Sequence, residues 1–146
     1  MDTQSSTSFE ASYRALMTAF FAGIVNTFLC LIYNIAFRSG RHYFSSTLLN
    51  VSYIIFGMLF LFFIIGLIYM LIRRIFPNGD LIFFLLFSAL TVLAIWTIRS
   101  GHFSTDPIEN ASLRGEYTGV SVISGICAAI GIPLLHRSRI FGLYVV

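Results

Sequence analysis

Long uncharged runs alternate with short polar segments along the whole chain. The clearest run extends from Val51 to Ile72 and contains no charged side chain. A helix of that length spans roughly 33 Å, against about 30 Å for the hydrocarbon core of a bilayer. Its apolar residues cover every side of the helix, so no face is left for water. The pattern predicts a membrane-spanning helix.

Three further runs of the same kind predict three more spans. Together the four spans are expected at approximately 13–37, 47–72, 80–98 and 113–135. The expected fold class is all-α, a polytopic membrane protein with a four-helix transmembrane bundle, and residues 1–146 form a single transmembrane domain. Residues 1–12 are expected to be a polar tail, and residues 136–146 to lie along the lipid headgroups because they are too short to cross again.

Turn and cap signals separate the predicted helices. Pro77–Gly79 predicts a tight turn that makes the second and third helices antiparallel neighbours, with Asp80 as the N-cap of the third. The segment Asp106–Glu109 predicts the start of the fourth helix, with a capping aspartate, a proline at the first helical position and a reciprocal glutamate. Pro133 is expected to bend only the last turn of that helix.

Composition narrows the set of partners and cofactors. The chain is 58% hydrophobic and 10% charged, whereas a soluble domain carries about 25% charged residues. The net charge of +3 suits contact with anionic lipid and is too small to indicate nucleic-acid binding. Cys30 and Cys127 both lie in apolar runs, which favours packing over a disulfide or a metal site. We therefore expect bound lipid, and we predict no other cofactor and no metal.

The arginines give a weak signal for orientation. An even number of spans places both termini on one side, together with Arg14, Arg73, Arg74, Arg137 and Arg139. The other side holds Arg38, Arg41, Arg99 and Arg114. This five-to-four division of the 9 basic residues predicts that both termini face the cytoplasm or matrix, in a bacterial inner membrane or an organellar membrane.

The first span carries a stripe of small and polar residues on one face. Its members, at steps of three and four, are Ala15, Ala19, Gly23, Asn26, Thr27, Cys30 and Asn34. One interpretation is a polar path lined by the asparagines and Thr27, with Asn50 added from the second span. The other is hydrogen bonding between helices, worth about 0.6 kcal/mol for each residue.

The fourth span has a matching small face, which predicts that it packs against the first. The residues of this face are Gly115, Thr118, Ser121, Gly125 and Ala128. Glu116 adjoins the same span near the expected headgroup level. We expect it to form an interfacial ion pair with Arg99 or Arg114.

Two hypotheses for function follow, because no motif in the chain identifies a reaction. Serine, aspartate and histidine residues are too scattered for a nucleophilic triad, so no catalytic residue is predicted. The first hypothesis is a non-catalytic accessory or structural subunit of a larger membrane protein complex. The alternative is a small homo-oligomeric channel or transporter lined by the polar residues of the first span. An enzyme acting on lipid near Glu116 and His102 is a weaker third hypothesis.

Overall fold

The computed structural model describes residues 3–41 and 51–138, with side chains from Ser12 onward except at positions 40, 41 and 53. These residues are helical apart from the connections between helices. The elements are α1 (Thr3–Arg41), α2 (Val51–Ile75), α3 (Gly79–Ser100), α4 (Pro107–Ile126), a π-helical turn (Cys127–Gly131) and α5 (Ile132–Arg137). The all-helical prediction is confirmed for the described chain.

Four stretches of these helices are long and apolar enough to cross a membrane. They are Ser12–Ser39, Ile54–Ile75, Gly79–Ser100 and Pro107–Arg137. The last stretch runs without a break through α4, the π-helical turn and α5. Their lengths and compositions are compatible with insertion into a membrane.

α1 is longer than its apolar run. It contains 39 residues and begins at Thr3, whereas the expected span begins at residue 13. The polar residues at its start include no proline and no glycine, so nothing in the sequence interrupts the helix before the apolar part begins. Asn50 and residues 139–146 of the expected interfacial tail lie outside the described residues.

The connection between α2 and α3 is the expected tight turn, and the two helices are in contact. The N-cap of α3 is Asn78 and not Asp80, although the Asn78 side chain makes no capping hydrogen bond. Asp80 lies in the first turn of α3, where its carboxylate accepts a hydrogen bond from the Tyr69 hydroxyl at 2.8 Å. The expected cap was wrong because this carboxylate is held by side chains of other helices.

The start of α4 follows the predicted cap. Asp106 accepts a hydrogen bond from the backbone N–H of Ile108 at 2.9 Å, and Pro107 is the first helical residue. Glu109 does not accept a hydrogen bond directly from the backbone N–H of Asp106, because the Ser104 hydroxyl lies between the two groups. The Asp106 N–H donates to the Ser104 hydroxyl at 3.2 Å, and that hydroxyl donates to Glu109.

Pro133 affects the fourth span earlier than expected. A proline has no N–H to donate to the carbonyl one turn before it, here that of Ala129. The backbone opens into the π-helical turn Cys127–Gly131 before it returns to α-helix at Ile132. A wide turn is one way in which a helix accommodates a missing hydrogen bond.

α1 lies at the centre of the bundle and contacts α2, α4, the π-helical turn and α5. Its contact with α2 includes two positions at which a glycine of one helix lies close to a side chain of the other. A Cβ added at Gly66 of α2 would lie 2.6 Å from the Ala19 Cβ, and one added at Gly23 would lie 2.7 Å from the Phe62 Cβ. Such distances require glycine, so the two helix backbones pack closely.

Candidate functional site

The polar stripe of α1 faces the interior of the bundle. Asn26 and Cys30 are 0% exposed, and Asn34 is 2% exposed. Thr27 is also buried, at 7% exposure. The small residues Ala15, Ala19 and Gly23 are buried as well, so the structure places all seven residues of the predicted stripe on the inner side of α1. Asn50, the path residue expected from the second span, lies outside the described residues.

The middle of the stripe makes few bonds to other helices. Thr27 donates to the Gly23 carbonyl of its own helix at 2.8 Å. The Cys30 thiol lies 3.7 Å from the Asn26 amide oxygen and 3.8 Å from the Ser124 hydroxyl. The Asn26 Nδ2 is buried and has no hydrogen-bond partner in the described part of the chain. Among the described residues, Asn26 and Thr27 thus make no hydrogen bond to another helix.

The end of the stripe forms a polar cluster with α4, which we call the Glu116 cluster (Asn34, Arg38 and Glu116). The Asn34 amide donates to Glu116 Oε1, and the Arg38 Nε lies 3.3 Å from the same oxygen. The Glu116 side chain is 6% exposed, whereas that of Arg38 is 36% exposed and reaches toward the surface. A buried carboxylate is stable only when it is paired and hydrogen-bonded, and these two donors supply that pairing.

The observed partner of Glu116 corrects the expected ion pair. Among the described residues Glu116 pairs with Arg38, whereas Arg114 donates from its Nε to the Gly101 carbonyl at 2.9 Å. Arg114 lies two positions before Glu116 on α4, and side chains with that spacing do not face each other on a helix. Arg99 is exposed at the end of α3.

The small face of α4 is divided between two helices. A Cβ added at Gly115 would lie 3.0 Å from the Phe37 ring of α1, and one added at Gly119 would clash with Tyr33 of the same helix. A Cβ added at Gly125 would instead clash with Thr91 of α3. Gly115 and Gly119 thus face α1, whereas Gly125 faces α3.

The other residues of that face also have different surroundings. Thr118 donates to the Arg114 carbonyl of its own helix at 2.6 Å, and Ser121 is half-buried. Ala128, in the π-helical turn, is 1% exposed and belongs to the same core cluster as Ala15 and Ala19 of α1.

A second polar cluster, which the sequence pattern does not reveal, lies at the opposite end of the bundle. We call it the Asp80 cluster (Tyr69, Arg73, Asp80 and Arg137). The Asp80 carboxylate accepts hydrogen bonds from the Tyr69 hydroxyl at 2.8 Å and the Arg137 Nε at 2.9 Å, and it forms an ion pair with the Arg73 Nε at 3.5 Å. The cluster therefore links the end of α2, the start of α3 and the end of α5.

Arg14 and His136 extend the polar contacts near the Asp80 cluster. The His136 ring packs edge-on against Tyr69, with centroids 5.6 Å apart. Arg14 of α1 donates to the carbonyl oxygens of His136 and Ser138, at 3.0 and 3.3 Å. Arg14 therefore binds the carbonyl groups that α5 leaves free at its C-terminal end.

The described side chains do not gather metal-binding groups at either end of the bundle. Within residues 3–41 and 51–138, no three histidine, cysteine, aspartate or glutamate side chains lie together in a way that could hold a metal ion. His102 is exposed in the connection between α3 and α4. His42 lies outside the described residues.

No protein-family model, curated protein or solved structure matches this chain.

Proposed function

We propose that this chain is an integral membrane protein and a non-catalytic accessory subunit of a larger membrane protein complex. The four long apolar stretches support insertion into a membrane. The bias of the arginines supports an orientation with both termini on the cytoplasmic or matrix side, in a bacterial inner membrane or an organellar membrane.

The uncovered surface of α3 is the observation that carries the proposed subunit role. Only 11% of an 18-residue apolar segment of α3 is buried inside the bundle, the smallest such share of the four stretches. Its most exposed side chains follow one line along the helix and are Leu81, Leu85, Val92 and Trp96. We call this line the α3 ridge. A rigid apolar ridge can pack into the groove of a helix from another membrane protein.

Gentle extraction tests the subunit role. The full-length chain, tagged and expressed in its own membrane, is purified in a mild detergent, and the mass and composition of the particle are determined. We expect unlike chains to copurify in a fixed ratio. A particle that contains only this chain under every extraction condition would contradict the proposal.

Photo-crosslinking locates the partner if one copurifies. A photoreactive residue at Val92 on the α3 ridge is compared with one at Ile32 on the outer face of α1, since the two positions are 67% and 63% exposed. We expect Val92 to crosslink to another protein chain and Ile32 to crosslink mainly to lipid. Equal yields of protein crosslinks from both positions would contradict the assignment of the α3 ridge as the surface that contacts the partner.

A small homo-oligomeric channel or transporter is the second candidate, and one observation favours it. Asn26 is fully buried, yet its Nδ2 has no partner among the described residues. Polar groups inside membrane bundles often mark the route of a polar solute. Because Asn26, Thr27 and Asn34 are all buried within one bundle, such a route would run through each chain and not between copies.

Flux measurements separate this candidate from a packing role. In liposomes, Asn26→Leu is expected to lower flux of the transported species while leaving the free energy of unfolding nearly unchanged. Asn34→Leu is expected to lower both, since Asn34 also binds Glu116. A transport function is contradicted if Asn26→Leu leaves flux as it was.

A further inference from the structure

The Asp80 cluster contains more positive than negative charge. Two guanidinium groups, those of Arg73 and Arg137, share the single carboxylate of Asp80. The exposed side chain of Arg74 and the half-buried side chain of Arg14 lie at the same end of the bundle. Among the described side chains at this end, four arginines stand against one acid. One carboxylate cannot neutralise this charge.

The two arginines of the cluster keep donor groups available for another ligand. Each contacts Asp80 through its Nε, at 3.5 Å for Arg73 and 2.9 Å for Arg137. Their side chains are 40% and 75% exposed. Among the described residues, both ion pairs with Asp80 use the Nε atom, which leaves the Nη groups, the part of the fork that recognises phosphate, for an oxyanion from outside the bundle.

The residues that hold the two guanidinium groups are themselves fixed by packing. Tyr69 is 0% exposed, and the Phe83 ring packs edge-on against it at 4.8 Å. The Arg73 guanidinium lies over the Tyr69 ring at 5.9 Å, and the Tyr69 hydroxyl holds Asp80. Because the carboxylate and the ring already orient the arginines, a ligand binds them at a smaller cost in side-chain entropy.

The position of the cluster indicates what kind of oxyanion it meets. Arg73 lies in the last turn of α2, Asp80 in the first turn of α3 and Arg137 in the last turn of α5. These are the ends of the apolar stretches, where the headgroups of a bilayer begin. Exposed apolar side chains adjoin the cluster in sequence at the end of α2, in the connection that follows it and on α5, namely Ile75, Phe76 and Leu134. A ligand with an anionic head and acyl chains can bind the guanidinium groups with its head and contact these apolar side chains with its chains.

We propose that Arg73 and Arg137, held by Asp80, bind the phosphate group of an anionic lipid at this end of the bundle. The inference rests on the proposed insertion into a membrane and is independent of the accessory-subunit role. The opposite end has no such excess of positive charge among the described side chains, because its three arginines (Arg38, Arg99 and Arg114) are balanced by three acids (Asp106, Glu109 and Glu116).

Spin-labelled lipid provides the test. The full-length chain is reconstituted in phosphatidylcholine vesicles that contain a small fraction of spin-labelled phosphatidic acid, and the fraction of label immobilised by the protein is measured. Arg73→Gln is compared with Arg74→Gln, which removes the same charge from the adjacent residue of α2. Arg137→Gln tests the second fork, and Arg73→Lys keeps the charge but removes the fork.

We expect Arg73→Gln and Arg137→Gln each to weaken lipid association about tenfold or more, as for the loss of a hydrogen-bonded charged group. Arg74→Gln should weaken it by about fivefold or less, the long-range share of one charge near an anionic surface. That smaller effect should fade in about 1 M salt, where the Debye length is ~3 Å. Arg73→Lys should fall between the wild type and Arg73→Gln.

Equal losses of lipid association for Arg73→Gln and Arg74→Gln would indicate general electrostatic attraction without a specific site, and would overturn the proposal. Displacement of the labelled lipid by inorganic phosphate would assign the site to a soluble anion and overturn its assignment to lipid. A chain that inserts but does not prefer phosphatidic acid over phosphatidylcholine would overturn this inference alone. A chain that alkaline carbonate strips from the vesicles would overturn the proposed membrane insertion as well.

Discussion

α1 and α3 differ in a way that reverses the rule for soluble proteins. Of an 18-residue apolar segment in each helix, 44% is buried inside the bundle in α1, against 11% in α3, although α1 is the less apolar of the two. In water the more apolar helix would occupy the core. Here the helix with the small and polar residues occupies it.

The difference follows from what each helix gains by contact. When lipid surrounds a bundle, apolar side chains gain nothing from leaving one apolar environment for another, and close packing and hydrogen bonds decide the arrangement. α1 offers Ala19 and Gly23 for close approach, and Asn34 and Arg38 for bonds to α4. α3 is bulky over most of its surface. The polar and small residues therefore determine which helix is central.

The strongest test of this comparison makes the same substitution in both helices. Ala19→Leu in α1 should lower the free energy of unfolding by about 3 kcal/mol, because the added carbons have no space beside Gly66. Ala89→Leu in α3, at an exposed position, should change it by less than about 0.5 kcal/mol. Denaturation by sodium dodecyl sulfate in mixed micelles measures both. A large loss for Ala89→Leu would break the comparison.

The Glu116 cluster should give the next largest effect. Glu116→Leu leaves the buried Asn34 amide without its acceptor and should lower the free energy of unfolding by about 2 kcal/mol. Glu109→Leu, on the same helix, removes one hydrogen bond to Ser104 and should cost less than about 1 kcal/mol. The same denaturation experiment compares the two. Equal losses would mean that the cluster contributes no special link between α1 and α4.

Two glycines of α2, one facing α1 and one facing open space, test the close contact of α1 with its neighbour. Gly66→Ala should cost about 1 kcal/mol, because its new Cβ would lie 2.6 Å from that of Ala19. Gly57→Ala has open space and should be neutral or gain up to about 1 kcal/mol from helix propensity. Opposite signs in thermal unfolding followed by circular dichroism would support the close contact. A gain for both would contradict it.

The smallest effects are expected from two threonines that make the same bond. Thr27 in α1 and Thr91 in α3 each donate to the carbonyl four residues earlier, at 2.8 and 2.7 Å. Because neither bond joins two helices, Thr27→Val and Thr91→Val should each change the free energy of unfolding by less than about 0.6 kcal/mol. A much larger loss for Thr27→Val would show that the hydroxyl has a second role inside the bundle.

Much of the helical pattern could be predicted from local signals. Uncharged runs indicate the four apolar stretches, and Asp106 with Pro107 marks the start of α4, because a cap depends on residues close in sequence. The role of Asp80 could not be predicted in the same way. Its partners Tyr69 and Arg137 come from α2 and α5, so they are known only once those helices have packed.

The partner of Glu116 shows the same limit, with one signal that was available. Arg38 is separated from Glu116 by 78 positions, and only the packing of α1 on α4 brings them together. However, Arg38 follows Asn34 by one helical turn and therefore continues the polar stripe that the sequence does reveal. Following the stripe beyond the last uncharged residue would have identified it. The Asn26 amide belongs to the same stripe, and its lack of a partner appears only in the structure.

The π-helical turn at Cys127–Gly131 amounts to one extra residue in the register of the fourth span. One residue corresponds to about 100° of rotation around a helix. The wider winding of the π-helical turn absorbs that residue, so α5 keeps the orientation that an uninterrupted α-helix one residue shorter would give it. If the same residues were wound as regular α-helix, α5 would be rotated by about 100°, and Arg137 would point away from Asp80. The π-helical turn thus sets the direction in which the end of α5 presents its charge.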